Sequence, residues 1–432
     1  MDFNEIKGLR GHPNACLITK TKLTFAEHST ASGLCALCTK DQNCEVGLKA
    51  KTGRTVFPGP FGVAQFAAEK RLPGMSDIQI IPELFGEGQV FKTLSSETTL
   101  GGLKVNAPLS IAGMGSTKVA SDNGKQLAEG AALAGITCVI GENVIATFGP
   151  DGVKARIKPF LDNYQKKGGI IVQGNVEDQK QQIFQKAIEF GCHGIELKLG
   201  QGAKQGLGGE IQFKDPEEAE KYKALGYTVI QKLDGTFERH SFPGTLSKEG
   251  LREKLIELNN YGIPVWIKIA VGTGIFDFLN HVNDLKKNDN LKNVKAVTVD
   301  GFGGGTGMSP WLIMNETCLP SAVILKKKPK LNYDLLLAGG YVNGMDVAKA
   351  MMLGAKGVAM GRAMLIAANN PDKTGQGIKN FVEATSEELK MVCATQRVNH
   401  PDKLIGRRKN LLALNAEAAE LFGLPTDPLA QL

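Results

Sequence analysis

Glycine crowds one short segment of this chain, DGFGGGTGMSP, Asp300 to Pro310, directly after an apolar run. Gly301, Gly303, Gly304, Gly305 and Gly307 expose backbone N–H groups there and let the chain approach a flat or anionic ligand. A plain structural turn rarely needs so many. Two later runs end in LAGG (Leu337–Gly340) and AMGRAML (Ala359–Leu365), each leading into a helical pattern. Turns of this kind hold a phosphate on backbone N–H groups and a helix N-terminus, and Arg362 can add a charge. Lysine is the second signal. Lys268 lies near the end of the run Val265–Ala270, where a buried ammonium needs a negative partner unless it snorkels to solvent. In IELKLGQGAKQGLGGE, Ile195 to Glu210, Lys198 and Lys204 bracket Gln201. That set can bind carboxylates or polarise a carbonyl; the plainer reading is a solvated flexible loop.

Cysteine is the third signal. Of eight cysteines, Cys16, Cys35, Cys38 and Cys44 fall in one N-terminal stretch, while Cys138, Cys192, Cys318 and Cys393 stand alone. Without a secretion signal, a cluster of this kind suggests metal more than disulfides. The Cys35-x2-Cys38 pair with Cys16 and Cys44 offers four thiolates, suited to a [4Fe-4S] cluster, with structural zinc as the alternative and no metal as the third reading. His12 and His28 are possible substitute ligands, though each singly reads as a surface histidine.

Chemistry of this kind needs elements to hold it. From about residue 105 onward, short apolar runs end in glycine-rich turns and alternate with helical segments, as in a parallel sheet with crossover helices. The candidate strands are Pro108–Gly113, Thr137–Gly141, Gly169–Gln173, Gly194–Lys198, Val265–Ala270, Ala296–Asp300, Leu335–Ala338 and Gly357–Met360. Eight closes a barrel. Predicted helices include Gly124–Ala134, Val176–Phe190, Lys248–Asn260 and Asn343–Leu353. The fold class expected is α/β, a (β/α)8 TIM barrel over residues 105–370, with a cysteine-rich N-terminal extension (1–104) and C-terminal helices (371–432). A doubly wound open sheet shares the alternation, so the fold rests on strand count together with the loops. The long connection between Lys198 and Val265 belongs at the mouth of such a barrel. MGST, Met114 to Thr117, follows the first strand with small residues that suit a flavin ring across that mouth, and Lys268 is placed to stabilise the ring's negative edge.

Composition sets the bounds. A hydrophobic share of 42% and a charged share of 22% are those of a soluble globular protein, and no apolar run is long enough to span a membrane. The N-terminus lacks the apolar core of a signal peptide, so a cytoplasmic location is expected. The net charge of +7 comes from scattered lysines without aromatic interleaving, which argues against nucleic acid.

The ordered loops resemble the FMN domain of the glutamate synthase family. LKLGQGAKQGLGGE stands where that family carries a loop close to IKMAQGAKPGEGGQ, and DGFGGGTGMSP resembles its DGxxGGTG form. AGGYVNGMDVAKAMMLGAKGVAMG, Ala338 to Gly361, matches its GG-then-helix and LLGA segments. The similarity runs from about Pro108 to Ala368. It implies FMN contacts at Ala112, Gly113, Met114, Gly115, Lys268, Gly304, Gly305, Gly339, Gly340, Gly361 and Arg362, with Asp300 leading the glycine-rich loop and Glu142 matching a family glutamate. Lys198, Gln201 and Lys204 would face a small imine or carbonyl substrate, 2-iminoglutarate in the family.

The departures are informative. The family's amidotransferase domain is not among these residues, so ammonia is expected from another subunit or from solution. The arginine-bearing segment that grips 2-oxoglutarate in the family has no clear match. Asn369, Asn370 and Pro371 occupy the stretch where the family carries the cysteines of a [3Fe-4S] cluster, so the N-terminal cysteines are the expected electron entry. No separate nucleotide-binding fold is evident, which favours an electron-donor protein or reductase subunit, and an oligomer, over direct NADPH binding. The alternatives are a flavin and Fe-S subunit acting on a different substrate, and a non-catalytic metal- or phosphate-binding scaffold.

Overall fold

Inside the barrel strands, side chains alternate between two environments, and this alternation decides the architecture. The computed structural model describes residues 50–51, 53 and 72–427, except 117, 203–204, 208–209, 232, 234, 243, 245–246, 303–316, 318 and 370–371. Eight parallel strands form a closed barrel: β1 Leu109–Met114, β2 Thr137–Ile140, β3 Gly169–Gly174, β4 Gly194–Lys198, β5 Val265–Ala270, β6 Val294–Asp300, β7 Asp334–Ala338 and β8 Gly357–Met360. Every strand expected from the sequence is present within a residue or two of its expected ends, and β8 pairs with β1 to close the ring. The open-sheet alternative is excluded.

Outward residues such as Ile170, Val172, Ile195, Ile267, Val297 and Leu337 join one large core with the surrounding helices. Inward residues form two layers. The lower is apolar: Val139, Ile171, Trp266, Ala296 and Leu336 pack with Leu100 and Val105 of an antiparallel hairpin, Thr98–Leu100 and Leu103–Val105, that closes the barrel floor. Trp266 Nε1 donates to Gly101 O at 2.9 Å, fixing hairpin to barrel. Two residues further along, the upper layer is polar on β3, β5 and β6, at Gln173, Lys268 and Thr298, and alanine on β7, at Ala338.

The expected single helix Val176–Phe190 is two, Val176–Lys180 and Ile183–Glu189, broken at Gln182, whose φ is +58°. Asn175 caps the first by accepting from Asp178 N at 2.9 Å, and Asp178 answers by accepting from Asn175 N at 3.2 Å. This capping box starts a short helix that the apolar spacing alone does not reveal. The helix Gln376–Thr395 packs on Gly124–Ala134 and Gly344–Leu353, and Glu388 accepts from Gly344 N at 2.7 Å. A strand Leu411–Ala413 pairs antiparallel with Ile78–Ile80, tying the two described ends together. The long connection between β4 and β5 folds as a three-stranded antiparallel sheet, Glu210–Phe213, Thr228–Gln231 and Phe237–His240, with the last strand central and a helix, Pro216–Ala224, on it.

No helix among the described residues is long and apolar enough to cross a membrane. Cys16, Cys35, Cys38, Cys44, His12 and His28 lie outside the described residues, as do Lys204, Gly304 and Gly305.

Candidate active site

The polar layer sits at the C-terminal ends of β3 to β6. Gln173, Glu196, Lys198, Lys268, Thr298 and Asp300 are all buried there. Strand register sets Lys268 beside Lys198 on one side and beside Thr298 on the other. Two adjacent buried ammonium groups repel, and the structure answers with carboxylates. Lys268 Nζ lies 3.2 Å from Asp300 Oδ2. Lys198 pairs with Glu142 and donates to Gln201 Oε1 at 2.5 Å. Glu196 accepts from Gln173 Nε2 and, at 3.4 Å, from Thr298 Oγ1.

Burial opposes the charge on Lys268, but the carboxylates of Asp300, Glu196 and Glu142 outweigh it and hold the ammonium above its ordinary value. Burial raises Glu196, against the pull of Lys268, Gln173, Lys198 and Thr298. Lys268 is thus a fixed cation with a protein counter-ion, so an anionic ligand is not required to make its burial tolerable.

The adjoining quarter of the mouth is flat. Ala112, Ala338 and Ala359 come from β1, β7 and β8, which are neighbours in the barrel, and they touch one another. The glycines around them divide into two kinds. A Cβ at Gly113 would stand 2.8 Å from Gln173 Nε2, and one at Gly339 would stand 2.8 Å from Gly301 O. Those glycines serve close packing. Among the described residues, a Cβ at Gly340, whose φ is +88°, would meet nothing within 4 Å, and one at Gly361 only the Ala112 Cβ at 4.0 Å. These two glycines stand at the ends of β7 and β8, where barrel proteins hold phosphates. Arg362 opens the helix Arg362–Ala368 beside them, half-buried, and desolvation lowers its guanidinium to about 9, still charged at neutral pH.

The sequence reading sets Lys198 and Gln201 toward the substrate and Glu142 toward the cofactor; the structure joins all three in one cluster, next to the Lys268–Asp300 pair. It missed Glu196, Gln173 and Thr298. The signal was there: Glu196 and Lys198 alternate with Ile195 and Leu197, so both charges fall on one face of a strand. It also missed Arg156, which donates to Gly115 O at 2.7 Å and to Ser121 Oγ at 2.8 Å and so fixes the turn after β1. Nothing in sequence spacing reports that contact, made across 41 positions. Among the described residues no group of three His, Cys, Asp or Glu side chains could hold a metal ion.

A closed parallel barrel with its polar groups gathered at the C-terminal strand ends places the chain in the TIM-barrel class. Solved structures agree on the fold: a flavocytochrome b2 variant with sulfite bound superposes with a TM-score of 0.55 at 18% identity, covering 82% of this chain and 81% of that one. A chimeric (S)-mandelate dehydrogenase variant gives 0.53 at 15% identity, covering 78% and 88%. The model of the conserved region in glutamate synthase matches residues 85–370, and the chain belongs to that family. An archaeal glutamate synthase [NADPH] of Archaeoglobus fulgidus is 26% identical over 268 residues, 52% of this chain and 50% of that protein. An archaeal-type glutamate synthase [NADPH] of Thermotoga neapolitana is 24% identical over 331 residues, 66% of this chain and 61% of that protein. The chain thus spans about half to three-fifths of the length of these curated relatives.

Proposed function

We propose that the chain is an FMN-dependent oxidoreductase that reduces a small imine or carbonyl compound, with electrons delivered by a redox partner through an iron–sulfur cluster on Cys16, Cys35, Cys38 and Cys44. The observation that carries this reading is the pairing, in one barrel mouth, of a fixed buried cation at Lys268 with an alanine floor and two glycines at the ends of β7 and β8. Ala112, Ala338 and Ala359 would carry its flat ring, and Gly340, Gly361 and Arg362 would hold its phosphate. Gly113, Met114 and Gly115 would line the edge from β1, held in place by Arg156. When bound, FMN supplies hydride-transfer chemistry.

The protein's own part is electrostatic and positional. Lys268, kept protonated by its carboxylates, stabilises negative charge developing beside it. Lys198 Nζ is oriented by Glu142 and Gln201, and facing the substrate it would polarise a C=N or C=O group or donate a hydrogen bond to its nitrogen or oxygen. The closed apolar floor excludes water from below. By the family resemblance, Lys204 would face the substrate and Gly304 and Gly305 the flavin.

The family's version of the reaction forms glutamate from 2-oxoglutarate and ammonia, and this is the first substrate pair to try. Anaerobically purified protein loaded with FMN is bleached with dithionite, then mixed with 2-oxoglutarate and ammonium. Return of the flavin band with stoichiometric glutamate supports the reading; return with neither substrate required, or no return with any imine or carbonyl tested, overturns the substrate assignment. Iron and acid-labile sulfide in the same protein, lost in Cys35→Ser/Cys38→Ser with FMN retained, support the cluster. Zinc in place of iron overturns it.

A further inference from the structure

In the excursion between β4 and β5 the structure buries an arginine, Arg239, whose surroundings do not account for it. Arg239 lies on the central strand of the three-stranded excursion, with its side chain wholly out of solvent. Its guanidinium carbon sits 4.5 Å from the Tyr222 ring centre and 4.6 Å from that of Tyr227. Among the described residues Nε, Nη1 and Nη2 find no hydrogen-bond acceptor. The tyrosine hydroxyls are engaged elsewhere: Tyr222 donates to Glu218 Oε1 at 2.8 Å, and Tyr227 to Asn143 Oδ1 at 2.9 Å. Aromatic faces satisfy a guanidinium's charge in part, but they leave the in-plane N–H donors at its edge unmet. A wholly buried guanidinium with no acceptor is among the costliest arrangements a fold can hold.

The place is a seam. Tyr222 and Tyr227 pack on Ala146, just after β2, and Asn143 carries the bond from Tyr227 across to the barrel. On the β3 side, Glu177 Oε1 accepts from Phe242 N at 2.8 Å, while its second oxygen has no partner. Ser241, two positions beyond Arg239, is buried with its hydroxyl also unmet. A Cβ at Gly244 would stand 2.9 Å from Lys198 O, so this stretch of chain runs directly beside the barrel mouth. Unmet donors at Arg239 and Ser241 thus line one seam between the excursion and the loops after β2 and β3.

We propose that Arg239 is the anchor of a second binding site, one for a small carboxylate, between the excursion and the β2 and β3 loops. The two rings restrict the guanidinium to edge-on partners, and a carboxylate matches its paired N–H groups in that plane. Glu177, which accepts from Phe242 N, adds a carboxyl group to the same seam; an acidic neighbour favours a singly charged carboxylate group over a phosphate or sulfate dianion. The Ser241 hydroxyl supplies a further donor. This site rests on residues of the excursion and not on the flavin reading.

The test is calorimetric titration of the full chain, with and without FMN, using acetate, succinate, inorganic phosphate and sulfate as probes. Wild type is expected to bind the carboxylates saturably and in preference to the two inorganic anions. Arg239→Met is expected to weaken carboxylate binding more than about thirtyfold while holding FMN as wild type does. Glu177→Gln, which keeps the packing and removes a nearby negative charge, is expected to tighten it. Equal carboxylate affinity in wild type and Arg239→Met, or no saturable binding to wild type, overturns the proposal. So does a Glu177→Gln variant that binds carboxylate no better and loses as much thermal stability as Arg239→Met, because Glu177 would then be Arg239's own partner. FMN titration of the same samples reports the flavin reading separately.

Discussion

The Lys268–Asp300 pair shows how a residue earns a second role. Both side chains are buried, at 6% and 4% exposure, so neither tolerates losing the other. Lys268→Met is expected to cost about 3–5 kcal/mol in urea unfolding, because the buried Asp300 side chain loses its ammonium partner. Lys268→Met/Asp300→Asn should recover part of that loss, and equal stability of the single and double variants would contradict the pairing. Asp178 makes a pH prediction. Burial raises its carboxyl to about 7 from an ordinary 3.8, even though Asn143 N and Asn175 N donate to it. The folded protein therefore holds this proton more tightly than the unfolded chain does. The stability it contributes is full below the unfolded value and is lost as pH rises through about 7. The stability difference between wild type and Asp178→Asn should shrink across that window; a difference flat in pH would contradict the assignment. At this scale the sequence was partly legible. Lys198, Gln201 and Lys268 stood out as polar residues among apolar or glycine neighbours, whereas Arg156 and Arg239 act through contacts across the chain that spacing does not encode.

At the scale of elements, the barrel strands were legible because each ends in a glycine-rich turn and each buries both faces. The excursion was not, because its strands Thr228–Gln231 and Phe237–His240 are short and their residues mostly polar. The floor hairpin escaped notice for a different reason: three-residue strands carry too little periodicity to detect. Its turn is nonetheless demanding. Gly101 has a φ of +56°, and a Cβ there would overlap the Trp266 indole. Gly101→Ala is therefore expected to destabilise the fold by more than about 2 kcal/mol, through strain and displacement of the indole together. Chemical denaturation followed by far-UV circular dichroism measures it. Unchanged stability would mean the hairpin does not close the barrel as described.

At the scale of the molecule, the fold separates two jobs: an apolar floor that holds the barrel shut, and a polar mouth beside a flat alanine surface. The family match extends over residues 85–370, and so takes in both. A ligand held in that mouth should stabilise the folded chain by mass action, so the thermal midpoint should climb with FMN concentration. The most direct measurement is an FMN titration of wild type and Gly361→Ala, followed by quenching of flavin fluorescence. Gly361 has a negative φ of −99°, and among the described residues a methyl group there would touch only the Ala112 Cβ at 4.0 Å, so the flavin-free variant is expected to remain folded, which its unfolding curve checks. The expected result is one FMN per wild-type chain and an affinity at least about tenfold weaker in the variant, the worth of roughly one phosphate hydrogen bond. No FMN binding by wild type, or equal binding by both proteins, would contradict a flavin site at the mouth of this barrel.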